Sequence, residues 1–324
     1  MIIYLLLFLL SFVLTYLIKN YYIKYAILEE INERSSHTVP TPHGGGIALA
    51  ITWFIGLFYL YYTSQIPTQL FYALLVGVII SVVSFFDDIY DLSPKLRLFT
   101  QAFVALLGLY FLSGFYSLYL FAIHVDNQFI TNIFAFLLIV WFINLYNFLD
   151  GINGYAGSEI VFLSIAGFIL FGGAHFIVLA VATLGFLVWN YGNAKIFMGD
   201  VGSTLLGYNV AIFTLYYANQ EASNFWIWIV LFGVFWFDAT LTLIRRKLNH
   251  EKLSKAHKKH AYQRLNQSGW SHFKVTNYAI VVNIVLFCII YFVNNIFIDF
   301  ILSIILLYGV VKFVDFRKRF DNSF

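Results

Sequence analysis

The chain has 324 residues, of which 61% are hydrophobic, 21% aromatic and 11% charged, and its mean hydropathy is +0.82. This balance excludes an ordinary soluble domain, in which about 25% of residues are charged. The formal net charge of +3 is too small to indicate nucleic-acid binding.

Apolar stretches follow one another along the whole chain, and a membrane-spanning helix needs about 20 apolar residues. The eleven candidates are 2–18, 45–62, 71–86, 98–112, 130–146, 158–171, 175–189, 203–217, 225–244, 277–293 and 296–311. Because the fourth, sixth and eighth are short, ten spans plus a re-entrant element is the alternative. We predict an all-α polytopic membrane protein with about 11 transmembrane helices and catalytic cytoplasmic loops. No repeat or linker divides it, so residues 1–324 form a single domain.

The basic residues predict the orientation of this domain. With eleven spans, all nineteen Lys and Arg residues fall on one side. The loops of the other side contain none; they are 63–69, 113–129, 172–174, 218–224 and 294–295. Because basic loops face the cytoplasm, we expect the N-terminus outside and the C-terminus and polar loops inside. The aromatic stretch 113–128 is expected to form an interfacial hairpin.

Three carboxylates lie at the end of the third stretch, at Asp87, Asp88 and Asp91. If the helix continues through them, Asp91 lies one turn from the other two. Carboxylates this close repel each other unless a cation lies among them, and Mg²⁺ bound with phosphate is the economical explanation. A solvated helix end is the alternative.

Polar side chains recur at every third position in segment 144–154, at Asn144, Asn147, Asp150 and Asn153. Their oxygens suit a hard cation or sugar hydroxyl groups, and the two glycines of the segment permit close backbone approach to a ligand. Helix capping by Asn and Asp, with Gly as terminator, is the alternative.

Segment 195–204 leads directly into the eighth stretch. Lys195 offers a point charge for phosphate, and Asp200 can hold a metal that bridges it. Ser203 and Thr204 at a helix start indicate an anion site, because the first backbone N–H groups of a helix are free. The order of residues is not that of a Walker A loop, which leaves ATP hydrolysis without support.

A basic loop over 245–264 contains His257, His260, Gln263 and Arg264. The histidines lie three residues apart and lack Cys or acidic ligands at zinc spacing, so contact with a diphosphate or sugar is favoured over metal binding. Binding of anionic lipid headgroups or control of topology is the alternative.

Two further features lie outside these clusters. Asp238 falls within the ninth stretch, where an ionisable side chain faces the protein interior for a functional reason or pairs with a basic residue. The loop 37–46 combines prolines and glycines and is either a ligand-approach loop or a helix entrance.

Together these clusters resemble the polyprenyl-phosphate N-acetylhexosamine-1-phosphate transferase superfamily, which includes phospho-MurNAc-pentapeptide translocase and GlcNAc-1-phosphate transferase. The matching segments are 38–46, 86–91, 144–154 and 195–203, in family order. The resemblance implies a bacterial inner-membrane enzyme that transfers N-acetylhexosamine-1-phosphate from a UDP-sugar to undecaprenyl phosphate and releases UMP. It implies Mg²⁺ as cofactor, with Mn²⁺ as a candidate substitute, and membrane lipid as surroundings; a homodimer stays open.

Two departures from the family pattern point to one branch. Asn153 stands where most members have the second Asp of Asp-Gly-x-Asp-Gly, so a neutral amide must take that role. The loop reads His257-Lys-Lys-His260 instead of His-x-His-His. Both changes resemble the branch that starts O-antigen or related surface polysaccharides. Its donors include GlcNAc, GalNAc and 6-deoxy sugars, so the sequence leaves the sugar open.

On this resemblance we assign the metal to Asp200 and Asp88, and catalytic roles to Asp87, Asp88, Asp91 and Asp150. The substrate-binding candidates are Lys95, Asn144, Asn147, Asn153, Lys195, His257, His260, Gln263 and Arg264. The carrier phosphate is largely dianionic at neutral pH, which favours direct attack with Asp87 or Asp88 as optional base. An aspartyl-phosphate route is the alternative.

The rival function is transport of nucleotide sugars or lipid-linked sugars, since polar residues in a helical bundle often line a pathway. The polar clusters lie at helix ends instead of the middle of the membrane, which favours the enzyme.

Overall fold

The computed structural model describes residues 2–25, 28–29, 41–121, 123–253, 255 and 257–320. Residues 37–40, which belong to the predicted loop 37–46, lie outside this part. Within it the chain forms fourteen helices and two small antiparallel sheets. The helices are α1 (Ile2–Lys24), α2 (Gly45–Tyr62), α3 (Thr68–Leu75), α4 (Gly77–Tyr90), α5 (Pro94–Phe111), α6 (Gln128–Leu149), α7 (Tyr155–Phe171), α8 (Ala174–Asn190), α9 (Asp200–Gln220), α10 (Ser223–Leu231), α11 (Gly233–Leu248), α12 (Ala261–Gln267), α13 (His272–Val293) and α14 (Ile296–Arg317). The strands β1 (Leu28–Glu29) and β2 (Thr41–Pro42) pair with each other, as do β3 (Leu118–Leu120) and β4 (Ile123–Val125).

Each of the eleven predicted stretches coincides with one helix or with a pair of consecutive helices. Six segments are long and apolar enough to cross a membrane: α1, α2, the pair α3 and α4, α6, α13 and α14. A seventh is counted if α10 and α11, which meet at a bend of 77°, form one span. The described chain is thus a multi-pass helical membrane protein with six or seven such spans. The criterion of helix length and apolar composition does not confirm the eleven predicted spans. Helices α7 and α8 are apolar but have only 17 residues each.

Helix α9 lies at the centre of the bundle and is buried along almost its whole length. A β-carbon on Gly207 would lie 2.5 Å from the Phe142 carbonyl oxygen, so α9 and α6 are in close backbone contact. On another face, the Tyr208 hydroxyl donates to the Ala73 carbonyl oxygen at 2.7 Å. This packing fixes the first turn of α9, which begins at Asp200, against its neighbours.

The loops without basic residues meet at the end of the bundle opposite Asp200. Asn219 donates to the Gly114 carbonyl oxygen at 2.8 Å, and the Trp226 ring N–H donates to the Tyr119 carbonyl oxygen at 2.6 Å. The predicted hairpin in 113–128 is present as β3 and β4, and its Phe121 ring stacks on Trp226 at 4.4 Å.

Candidate active site

Two partly buried carboxylates from different helices lie next to each other. Asp88 lies in the last turn of α4, and its Oδ1 accepts the backbone N–H of Asp200, the first residue of α9, at 3.4 Å. Asp88 Oδ2 is buried and has no hydrogen-bond partner among the described residues. A β-carbon at position 199 would lie 3.1 Å from this oxygen, so Gly199 leaves room beside it. A buried oxygen with unmet acceptor capacity indicates a missing cation or donor.

The start of α9 does not form the anion site that was predicted from Ser203 and Thr204. The helix begins at Asp200, three residues before Ser203, and the Asp88 carboxylate of the same chain binds its first N–H. The Ser203 hydroxyl accepts a hydrogen bond from Asn147, and the Thr204 hydroxyl pairs with that of Ser84 at 2.9 Å. The acceptor at this helix start is therefore the Asp88 carboxyl group, and acidic residues are favoured near helix N-termini.

Asp87 is buried and oriented by two donors. Its Oδ1 accepts the Leu92 N–H at 2.8 Å, and its Oδ2 lies 3.2 Å from Arg97 Nη1. Asp91, in contrast, ends α4 in the left-handed conformation with φ 48° and is exposed. The helix does not continue through Asp91, so this carboxylate does not join the other two. Lys95 is also exposed.

Two amides of α6 lie in the same site, as their spacing predicted. Asn147 donates to Asp200 Oδ1 at 2.8 Å and to the Ser203 hydroxyl at 3.0 Å. Asn144 exchanges two hydrogen bonds with Gln101, at 2.7 and 3.3 Å. Asn144 and Asn147 both line a cavity of about 210 Å³. The polar residues that line it with them include Asp87, Arg97, Gln101 and Asp200.

The second half of segment 144–154 leaves this cavity, because α6 ends at Leu149. Asn153 donates from Nδ2 to the Gly192 carbonyl oxygen at 2.7 Å, and its own carbonyl accepts the Thr276 hydroxyl at 3.0 Å. Asn153 therefore joins the loop before α9 to α13. Asp150, the residue that follows α6, is only partly buried and is not a lining residue of the cavity.

The segment 257–264, here called the histidine loop, borders the cavity at Phe148. The Phe148 ring lines the cavity and stacks on His260 at 6.4 Å. Asp238 accepts the N–H of Ala261 at 2.7 Å and lies 3.6 Å from His260 Nδ1, so it caps α12 from the interior. The Tyr262 hydroxyl donates to the Phe148 carbonyl oxygen at 3.1 Å and leaves no space for a β-carbon at Gly151.

His257 is a neutral donor at physiological pH. Burial, together with the neighbouring His260 and Arg246, lowers the pKa of His257 to about 3. Its Nδ1 accepts the Lys259 N–H at 3.2 Å, so the ring proton is on Nε2. The His257 and His260 rings are 4.9 Å apart.

Three other predicted substrate-binding residues do not line the cavity: Gln263, Arg264 and Lys195. Gln263 Oε1 accepts the His260 N–H at 3.3 Å inside the loop. Arg264 is 1% exposed and binds Asp315 and the Lys318 carbonyl oxygen. Lys195 is exposed. The structure thus brings together Asp87, Asp88, Asp200, Asn144 and Asn147, with His260 at the rim, and does not bring Arg264 or Lys195 to them.

Arg97 and Gln101 are cavity residues that sequence reasoning did not assign. Both lie on the α5 face that turns to the cavity, one turn apart. One sequence signal could have pointed to these two residues: Ser93 and Pro94 form a typical helix start directly after the carboxylates, which places Arg97 and Gln101 in the first turns of the next helix.

The loop before α2 supports the start of α9 by backbone pairing. The N–H groups of Gly45 and Gly46 donate to the carbonyl oxygens of Phe197 and Met198 at 2.9 and 2.8 Å. His43 lies in the same loop, and burial lowers its pKa while the Asp88 backbone and Asp200 oppose the shift. The loop is therefore both a helix entrance and part of the wall around the carboxylates.

The donor atoms suit a hard cation. Across the described ranges there is no group of three or more His, Cys, Asp or Glu side chains that could hold a metal. Mg²⁺, however, is usually held by one or two carboxylates plus phosphate oxygens and water. Asp88, with its unpartnered Oδ2, and the adjacent Asp200 match this requirement.

The helix bundle and the site define a multi-pass membrane protein with a partly buried cluster of carboxylates and amides at one end. Residues 70–218, which include all five clustered carboxylates and amides, match the model of Glycosyl transferase family 4. A probable undecaprenyl-phosphate N-acetylglucosaminyl 1-phosphate transferase of Bacillus subtilis (strain 168) is 33% identical over 273 residues, 80% of this chain and 75% of the relative. The chain belongs to glycosyl transferase family 4.

Two further relatives are named phospho-N-acetylmuramoyl-pentapeptide-transferase. The protein of Staphylococcus haemolyticus (strain JCSC1435) is 30% identical over 77% of this chain and 84% of its own length. That of Streptococcus pneumoniae (strain 70585) is 29% identical over 63% of this chain and 67% of its own length.

Proposed function

We propose that this protein transfers N-acetylhexosamine-1-phosphate from a UDP-sugar to undecaprenyl phosphate and releases UMP. The observation that carries the proposal is the Asp88–Asp200 pair, in which Asp88 Oδ2 is buried without a partner among the described residues and Asp200 lines a polar cavity together with Arg97. Relatives named as transferases of this kind support it.

Asp88 and Asp200 would hold Mg²⁺, with Mn²⁺ as a substitute. A bound ion would supply charge neutralisation on the diphosphate of the donor. Asn147 fixes the orientation of the Asp200 carboxylate through its 2.8 Å hydrogen bond. Arg97 offers a positive charge to the carrier phosphate, because its side chain lines the cavity and is 41% exposed.

The carrier phosphate attacks the donor directly. A phosphate monoester is largely dianionic at neutral pH and needs little activation as a nucleophile. One of its oxygens bonds to the β-phosphorus, and the bond from that phosphorus to the oxygen shared with the α-phosphorus breaks, which frees UMP. Asp87 is already paired with Arg97, so we propose that Asp87 orients this arginine and is not required as a base.

The sugar side of the donor would face the histidine loop. His257 Nε2 is a neutral donor for a phosphate or sugar oxygen, and His260 lies beside the cavity wall. We propose that residues 255–264 select the sugar, and that the transfer starts a surface polysaccharide such as O-antigen or capsule.

We propose eleven spans in the inner membrane, with the N-terminus outside and the carboxylate site cytoplasmic. The contact of Gly114 with Asn219 supports this topology, because it joins two loops that both lack Lys and Arg.

Release of UMP tests the proposed function. Purified protein would receive undecaprenyl phosphate, Mg²⁺ and a panel of UDP-N-acetylhexosamines, with EDTA as one control. We expect carrier-dependent UMP that is lost with EDTA and in Asp200→Asn, and retained in Asp91→Asn, whose carboxylate is exposed. Movement of a donor into proteoliposomes without UMP release would instead establish a transporter.

A further inference from the structure

The chain immediately after α14 folds back onto the basic loop. Phe320 is 8% exposed, and three cations surround its ring: Arg245 at 5.1 Å, Lys259 at 5.4 Å and Arg264 at 5.4 Å from the centroid. Arg245 comes from α11, whereas Lys259 and Arg264 both come from the histidine loop. One aromatic side chain therefore joins α11 to two positions of the histidine loop.

Asp315, in the last turn of α14, neutralises two of the same cations. Both of its oxygens bind Arg245, at 2.9 and 2.6 Å, and Oδ1 also binds Arg264 at 2.6 Å. Glu251 binds the third cation, Lys259, at 2.8 Å. Three positive charges around one ring repel each other, so these two carboxylates together offset the repulsion. We call Asp315 and Phe320 the tail clamp.

Arg264, the last residue of the histidine loop, connects the tail clamp to Lys259, the residue before His260. Its side chain is almost fully buried and donates to the carbonyl oxygens of Lys318 at 3.0 Å and Lys259 at 3.2 Å. A buried guanidinium is stable only while its partners remain. Loss of the clamp would therefore free Arg264 and, with it, the Lys259 carbonyl that directly precedes His260.

We propose that Asp315 and Phe320 are positioning residues for the donor substrate. They hold the histidine loop so that His260 stacks on Phe148 at the cavity wall and His257 presents Nε2. This role rests on the proposed function, in which His257 of the histidine loop contacts the donor and not the carrier.

Phe320→Ala tests the clamp, with Phe316→Ala as the matched control, because Phe316 is 86% exposed at the same end of α14. The first readout is trypsin cleavage in detergent after the exposed residues Lys252 and Lys255, which needs no substrate. We expect cleavage of Phe320→Ala to be about tenfold faster, as local opening of the loop predicts. Phe316→Ala should be cleaved like the unmodified protein.

The second readout separates donor from carrier in UMP release. Phe320→Ala should raise KM for the UDP-sugar by about tenfold while KM for undecaprenyl phosphate stays within about twofold. Phe320→Trp should behave like the unmodified protein in both readouts, because an aromatic face remains for the cations. If Phe320→Ala is not recovered as a monodisperse protein, Asp315→Asn, which removes charge with little change in shape, takes its place.

The two readouts distinguish failure of the clamp from failure of the proposed function. Unchanged cleavage, or equal increases in both KM values, would overturn the clamp. If the unmodified protein releases no UMP with any donor, the proposed function fails, while the cleavage rates still decide whether the tail holds the loop.

Discussion

Asn153 donates its side-chain N–H to the Gly192 carbonyl oxygen, and its Oδ1 is buried without a hydrogen-bond partner among the described residues. A carboxylate has no N–H to donate and would place negative charge against that carbonyl. The sequence could show that a neutral amide stands at this position. It could not show that the amide is used for packing, because its partners come from α13 and from the loop before α9.

Asn153→Asp should therefore harm the protein although it restores the more common family pattern. We expect a loss of about 1–3 kcal/mol in stability from the unsatisfied buried groups. Thermal unfolding in detergent measures it, with Asn193→Asp as an exposed control, because Asn193 follows Gly192 in the loop before α9. A stabilised and more active Asn153→Asp protein would contradict the packing role.

His257 should act as a hydrogen-bond donor and not as a cation. Since its pKa is lowered to about 3, below the ordinary value of about 6.5, the neutral ring is favoured in the fold. Its contribution to stability is present above pH 6.5 and is lost as the pH falls towards 3. Between pH 6 and 8 the ring does not titrate.

His257→Gln, which keeps a neutral donor, should retain UMP release within about threefold, and His257→Leu should lose about tenfold, the usual value of one hydrogen bond to a charged group. The pH profiles of His257→Gln and the unmodified protein should have the same shape from pH 6 to 8. An ionisation near pH 6.5 that disappears in His257→Gln would show that the cation is used.

The start of α9 depends on a close contact between two helices. A β-carbon on Gly46 in α2 would overlap the Gly202 amide nitrogen and would lie 2.9 Å from the Met198 carbonyl oxygen. The atoms in the way are backbone atoms, which cannot rotate aside. The contact holds the Gly199–Asp200 turn next to Asp88.

Gly46→Ala should reduce stability by about 1–3 kcal/mol through overpacking and should lower UMP release more than tenfold. Gly309→Ala in α14 is the control, because a β-carbon there meets nothing within 4 Å. Melting temperature and activity are measured on both proteins. Full activity of Gly46→Ala would show that this contact does not position Asp200.

At the level of elements, hydropathy was sufficient to locate every described helix except α12, but not all of the helix ends. Each apolar stretch coincides with a helix or a pair of helices, because apolar length is a local property. The end of α4 at Tyr90 was not predicted, although Ser93 and Pro94 mark the next helix start. Arg97 and Gln101 were missed because their partners, Asp87 and Asn144, lie across the cavity in other helices.

For the whole molecule, the segregation of basic residues predicts which end of the bundle faces the cytoplasm. In a protein with Cys288→Ser, the exposed residues Glu221 and Lys252 can each be replaced by Cys. A membrane-impermeant maleimide should label Glu221→Cys in intact cells and Lys252→Cys only after permeabilisation, because charged reagents do not cross the bilayer. Labelling of Lys252→Cys in intact cells would reverse the topology.

The fate of the donor's β-phosphorus tests the central claim most directly. A UDP-N-acetylhexosamine labelled at that atom would be incubated with undecaprenyl phosphate, Mg²⁺ and the purified protein, and with Asp200→Asn. We predict that the label enters the lipid fraction as the phosphorus next to the sugar, that unlabelled UMP is released in equal amount, and that Asp200→Asn does neither. Label that stays in soluble UDP while the sugar moves to the lipid would contradict phosphosugar transfer and show simple glycosyl transfer.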